Sequence, residues 1–198
     1  MRGKYQEIIC ILDRSGSMES IRDDAIGGFN TFIESQKSGD DPARVSLFLF
    51  DDRFETLFED LPIEMVRPLT RDTFVPRGST ALLDAVGRTV EAARSRIATL
   101  ATEEHPEGVV VCVLTDGMEN SSHRFRYHDV ANLVATCRDE LGWEFVFLAA
   151  NQDAIAEASK LSIHAADAAR FDATPDGTVA AFAEMGQMVT ERRGRLRR

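Results

Sequence analysis

The chain has 198 residues, of which 43% are hydrophobic, 8% aromatic and 28% charged, with a formal net charge of −10. That length fits one domain with a sizeable core, and the apolar fraction is too high for a disordered chain. The longest apolar runs are strand-sized, which disfavours a membrane span, and the acidic balance disfavours nucleic acid and anionic membrane as partners.

The start, Met1 to Gln6, leads into an apolar run too short for a secretory signal, which ends at Asp13. Cys10 and Cys112 sit in strand-like runs and Cys137 in an amphipathic stretch, without zinc spacing. They read as buried thiols in a reducing cytoplasm. Five of the last seven residues are arginines. This basic tail, about 192–198, reads as a frayed helix end whose cations suit the helix dipole, and it is assigned no function.

Tyr5 to Asp13 is the first strand, and Met18 to Lys37 a helix with Ile21, Ala25, Phe29, Phe32 and Ile33 on one face. Within it, Gly27-Gly28 hints at close packing of helix on sheet. Val45 to Phe50 and Phe54 to Phe58 read as a hairpin. Pro62 to Leu69 is irregular or helical, and Thr70 to Thr80 is loop. Ala81 to Leu100 is a helix, because Leu83, Val86, Val90, Ala93, Ile97 and Leu100 step by three and four.

Gly108 to Leu114 is the most apolar strand, as expected for burial on both faces of a parallel sheet. Val130 to Leu141 is helical, Trp143 to Ala149 a strand, Ala154 to Leu161 a short helix, and Ser162 to Phe171 a weak last strand. Thr174-Pro175 starts a final helix with an N-cap and a proline in the first turn; that helix runs to about Arg193.

This order predicts a single α/β domain over residues 1–198. Its architecture is a Rossmann-like, doubly wound three-layer sandwich around a mostly parallel six-stranded sheet. The expected strand order is 3-2-1-4-5-6, with the hairpin's second strand as an antiparallel edge. Ligands in such sheets bind outside the carboxyl ends of strands 1 and 4, at the switch point.

Strand 1 ends in Asp13-Arg14-Ser15-Gly16-Ser17, strand 4 ends in Thr115-Asp116-Gly117, and Gly78-Ser79-Thr80 enters the helix before strand 4. Asp13, Ser15, Ser17, Thr80 and Asp116 therefore converge as an all-oxygen set. Hard oxygen donors suit Mg²⁺, with Mn²⁺ or Ca²⁺ as alternatives, rather than zinc. Any one of these residues alone would more often be a helix cap; three chain segments meeting at one crevice favour a metal site.

The same three segments make the sequence resemble the von Willebrand factor type A (vWA) domain. They match its metal-ion-dependent adhesion site: the Asp-x-Ser-x-Ser motif at Asp13 to Ser17, the threonine at Thr80 and the distal aspartate at Asp116. The resemblance runs from Tyr5 to the last helix. Gly27 to Asn30, Ala81 to Ala85 and Ala149 to Ala154 look like stand-alone bacterial or phage members. The resemblance implies binding rather than turnover. Ser15, Ser17 and Thr80 would be direct ligands, Asp13 and Asp116 would act largely through water, and a partner's Glu or Asp would fill the open position. An AAA+ ATPase partner is implied by family analogy alone.

The competing reading is a Mg²⁺-dependent phosphatase or phosphotransferase, where an aspartate also ends strand 1. The dehalogenase type needs a second Asp two residues later, where this chain has Ser15, and no phosphate-binding glycine loop is present. A module with a vestigial site is the third reading. No catalytic residue and no organic cofactor are expected. His123 and His128, which flank Arg124 to Tyr127, read as a solvated loop at the rim. Glu19 with Asp23-Asp24 suggests an adjacent Ca²⁺ site, although acids are equally expected in a helix's first turns.

Overall fold

The computed structural model describes residues 4–39, 41–150 and 153–195. Six strands form one sheet in the order β3-β2-β1-β4-β5-β6. Near-continuous apolar runs place β1 (Gln6–Asp13) at its centre, between β2 (Ala43–Phe50) and β4 (Gly108–Thr115). Both pairings are parallel, as are those of β4 with β5 (Glu144–Ala149) and of β5 with β6 (Ala168–Arg170). The hairpin strand β3 (Phe54–Pro62) is antiparallel on β2, and its register shifts on either side of Leu47. This is the predicted fold and strand order.

Alternation along β1 divides the core. Ile8, Cys10 and Leu12 face one layer, with α1 (Arg22–Lys37) and α5 (Pro175–Arg195). Ile9 and Ile11 face the other, with α2 (Leu82–Ala98), α3 (Tyr127–Leu141) and α4 (Ala154–Lys160). The predicted stripe of α2 (Leu83, Val86, Val90, Ala93 and Ile97) is buried there. Thr174 caps α5 by accepting from the Gly177 amide at 3.1 Å. Gly142, at φ 67°, ends α3 in the left-handed conformation that glycine tolerates.

Four local expectations need correction. Gly16–Ile21 forms 3-10 turns rather than the start of α1, because the backbone first bends out of the β1 end. The last strand shrinks to Ala168–Arg170 behind a 3-10 turn at Ala165–Asp167, since its alanines bring little β-branched surface. Gly28 packs against α5 rather than the sheet: a Cβ there would lie 2.4 Å from the Phe182 ring, while one at Gly27 would meet open space.

The fourth concerns the tail. Arg192 and Arg193 are 2% and 5% exposed, not frayed. Arg192 pairs with Glu144 and Asp167. Arg193 donates to Gln6 Oε1 at 2.9 Å, to Gln36 Oε1 at 3.0 Å and to the Asp41 carbonyl at 2.8 Å. The rest of the tail, residues 196–198, lies outside the described residues. Cys10, Cys112 and Cys137 are free and buried, as expected. Among the described residues no helix is long and apolar enough to cross a membrane.

Candidate metal centre

The parallel register of β1 and β4 brings their carboxyl ends side by side, with Leu12 opposite Leu114. The next residues therefore emerge together. Asp13 is fully buried, and its Oδ1 accepts from the Ser15 amide at 2.7 Å. Its Oδ2 accepts from the Thr115 hydroxyl at 2.6 Å. Ser15 Oγ lies 3.1 Å from Ser17 Oγ, and the Ser17 hydroxyl donates to Asp116 Oδ1 at 2.7 Å. Four of the five sequence-predicted residues thus form one hydrogen-bonded chain across the β1–β4 seam.

Thr80 completes the constellation from the loop before α2. The Gly16 amide donates to the Gly78 carbonyl at 3.1 Å, and the Arg77 amide to the Arg14 carbonyl at 2.9 Å. These bonds seat the Thr80 loop against the Asp13–Ser17 turn. A Cβ on Gly117 would lie 2.9 Å from Thr80 Oγ1, so the glycine lets the Asp116 loop close on that hydroxyl. None of the three hydroxyls caps its neighbouring helix: no side-chain cap bond is made at the Gly16–Ile21 turns or at α2. The Leu83 amide in the first turn of α2 is met instead by Glu119 Oε2 at 2.9 Å.

Two carboxylates share this site. Burial is the main cause that pushes the Asp13 carboxyl up to about 6, against opposing hydrogen bonds from Thr115 and Ser15, and Asp116 adds to the rise. Burial also raises Asp116, opposed by the Ser17 hydroxyl. Neither has a basic partner among the described residues. Asp51, equally buried at the end of the next strand, is paired with Arg14 at 3.0 Å and Arg77 at 2.9 Å. Asp13 and Asp116 have no such arginine partner among the described residues. Two acids and three small hydroxyls fit a hard divalent cation in charge and donor type. No group of three or more His, Cys, Asp or Glu fit to hold a metal occurs among the described residues.

Several residues that hold the site were not singled out from the sequence. Thr115 orients Asp13, and its Oγ1 also accepts from the Gly117 amide at 3.2 Å. Asn120 and Glu119 tie the Asp116 loop to Thr80 and α2. Asp84 accepts from the amides of His123, Arg124 and Phe125 at 2.8 to 3.0 Å. Burial raises its pKa, but those three donors outweigh it and hold the carboxyl below the usual range. The signal was an Asx/Ser cluster, Glu119-Asn120-Ser121-Ser122, whose side chains favour backbone hydrogen bonds in loops.

The adjacent Ca²⁺ suggestion does not survive. Glu19 pairs with Arg22 at 3.2 Å, and Asp23 pairs with Arg71 on the exposed surface. The histidines form no cluster: His128 pairs with Asp129 at 2.9 Å, and His105 Nε2 contacts the Leu100 carbonyl at 3.2 Å. Asn151 and Gln152, part of the stretch resembling bacterial and phage members, lie outside the described residues.

No protein-family model matches the sequence, and no curated protein sequence matches it. Solved structures do match the fold. The mussel byssus proximal thread matrix protein 1, with a zinc-occupied MIDAS motif, superposes with a TM-score of 0.62 at 18% identity, over 94% of this chain and 46% of that one. The vWF domain of the type V pili tip protein Mfa5 from Porphyromonas gingivalis gives 0.62 at 13% identity, over 96% of both chains. A von Willebrand factor type A protein from Catenulispora acidiphila gives 0.56 at 19% identity, over 93% of this chain and 42% of that one. The chain thus spans less than half of the mussel and Catenulispora proteins, and all of the fold that they share with it is the vWA fold.

Proposed function

We propose that this vWA-fold chain is a metal-dependent protein-binding module with an intact metal-ion-dependent adhesion site, and not an enzyme. The observation that carries this reading is the convergence of Asp13, Ser15, Ser17 and Asp116 in one hydrogen-bonded chain beside Thr80, with two carboxylates that no basic group among the described residues neutralises. Ser15, Ser17 and Thr80 would hold Mg²⁺ directly, with Asp13 and Asp116 orienting the hydroxyls and balancing charge. When bound, such an ion supplies a Lewis-acidic position for a carboxylate. Neutral hydroxyl donors leave it more net charge than a set of acids would, which suits capture of a partner's Glu or Asp by an acidic protein.

The zinc-occupied MIDAS of the mussel protein supports a divalent ion on this fold. The donor set favours Mg²⁺ or Mn²⁺ here, because zinc prefers nitrogen and sulfur ligands. A cytoplasmic location and a stand-alone bacterial or phage-type role extend the same reading. The three buried free thiols agree with a reducing compartment. An AAA+ ATPase presenting an acidic side chain is the partner class that we carry forward from the family resemblance.

The phosphatase alternative has less support. It needs a general acid beside Asp13, and the second position after it is Ser15. The discriminating experiment is anisotropy of Glu- and Asp-containing peptides with Mg²⁺ and with chelator, run beside a phosphate-ester assay. Binding that needs both Mg²⁺ and the carboxylate, without ester turnover, supports the module. Mg²⁺-dependent turnover lost in Asp13→Asn overturns it.

A further inference from the structure

Within the proposed metal centre, and resting on that reading, we infer that Asn120 is the positioning residue for the Thr80 hydroxyl. Thr80 lies in no strand or helix, yet it is 3% exposed. Its backbone is held from both sides by one residue. The Thr80 amide donates to Asn120 Oδ1 at 2.9 Å, and the Asn120 amide donates to the Thr80 carbonyl at 3.0 Å. Such a two-point clamp fixes the peptide planes on either side of Thr80, and with them the direction of its Cα–Cβ bond.

The clamp is itself anchored. Glu119 Oε1 accepts from the Ser121 and Ser122 amides at 3.0 and 2.8 Å. Its Oε2 accepts from the Leu83 amide at 2.9 Å and the Ser122 hydroxyl at 2.8 Å. Ser122 Oγ accepts from the Asp84 amide at 3.0 Å. Residues 119–122 are thereby bolted to the first turn of α2, just after Thr80. Gly117 closes the wrap, since a Cβ there would lie 2.9 Å from Thr80 Oγ1. Thr80 and the Asp116 loop accordingly form one preorganised half of the site, facing the Asp13–Ser17 turn. Residues that orient metal ligands without touching the ion typically change affinity by 10–100-fold when lost.

The test is a double-mutant cycle on Mn²⁺ affinity, measured by electron paramagnetic resonance well below the unfolding temperature. Amide exchange of the metal-free proteins is followed in parallel. The inference expects Asn120→Ala to weaken Mn²⁺ binding about tenfold and to strip protection from the Thr80 amide. It also expects Thr80→Ala to weaken binding at least as much, with the double variant no weaker than Thr80→Ala alone. Gly117→Ala removes no hydrogen-bond partner but displaces the hydroxyl, so it should weaken binding and again add nothing to Thr80→Ala. That variant decides the matter if Asn120→Ala does not fold. Wild-type affinity in these variants, or losses additive with Thr80→Ala, overturns the positioning role while the metal site stands. Absence of Mn²⁺ binding by the wild type overturns both.

Discussion

The Ser17 hydroxyl donates to Asp116 Oδ1 at 2.7 Å, joining the end of β1 to the end of β4 across 99 positions of sequence. The bond sits on the exposed rim, so it does little for the core. Its consequence is local: it aligns one of the three hydroxyls with a half-buried carboxylate whose charge has no basic counterpart among the described residues. Ser17→Ala should therefore change unfolding free energy by less than about 0.5 kcal/mol, as for most surface substitutions. The same change should weaken Mn²⁺ binding about tenfold or more. Denaturant unfolding alongside a Mn²⁺ titration checks the pair of values; a large stability loss with unchanged affinity would assign the residue to the fold instead.

Gly27 and Gly28 provide a matched test of the packing between α1 and α5. Replacing a helical glycine by alanine gains about 1 kcal/mol where nothing obstructs the new methyl. Gly27→Ala meets that condition and should stabilise the protein. Gly28→Ala places Cβ 2.4 Å from the buried Phe182 ring, and overpacking of this kind costs about 1–3 kcal/mol, enough to cancel or reverse the gain. Opposite signs in chemical denaturation are expected from these neighbouring substitutions.

Arg193 is a second stability anchor. Replacing it by alanine removes the buried donor that Gln6 Oε1, Gln36 Oε1 and the Asp41 carbonyl share, at a cost of about 2–4 kcal/mol. Arg195, which is 59% exposed on its side chain, should cost less than about 0.5 kcal/mol on the same change. Comparing the two by thermal unfolding separates a helix-end anchor from a solvated tail.

The Asp84 clamp predicts a pH dependence with a defined sign. Burial works against its ionised form, but the amides of His123, Phe125 and Arg124 prevail and lower its pKa in the folded state. A lowered carboxyl pKa contributes stability that is present above the unfolded value, 3.8, and lost as the pH falls through the folded value. Asp84→Asn should thus be less stable than wild type at neutral pH, and the gap should close below the carboxylate range. A gap independent of pH would assign the effect to shape rather than charge.

The fold was legible because its signals are long and redundant. The Val109 to Leu114 run and the three-and-four spacing of Leu83 to Ile97 each specify burial over several turns or pairs. The meeting of Asp13, Ser15, Ser17, Thr80 and Asp116 at one face was legible because topology places the ends of β1 and β4 together. The residues that hold them were not. Asn120, Glu119 and Asp84 act through backbone amides, whose partners depend on loop conformation rather than on any periodic pattern. Arg192 and Arg193 misled for the same reason: a cluster of arginines at a helix end reads as solvated until the groups at the starts of β1 and β5 that receive it are known. Gly28 signalled close packing correctly, but the partner, α5, is more than a hundred residues away.

The central claim, that this face binds a divalent cation, is tested most directly by calorimetric titration of Mg²⁺ into chelator-stripped protein, with folded Asp116→Ala as control. Saturable binding to one site, markedly weakened by the substitution, is the predicted result. Absence of Mg²⁺ binding by the wild type, or identical binding by the variant, would contradict it.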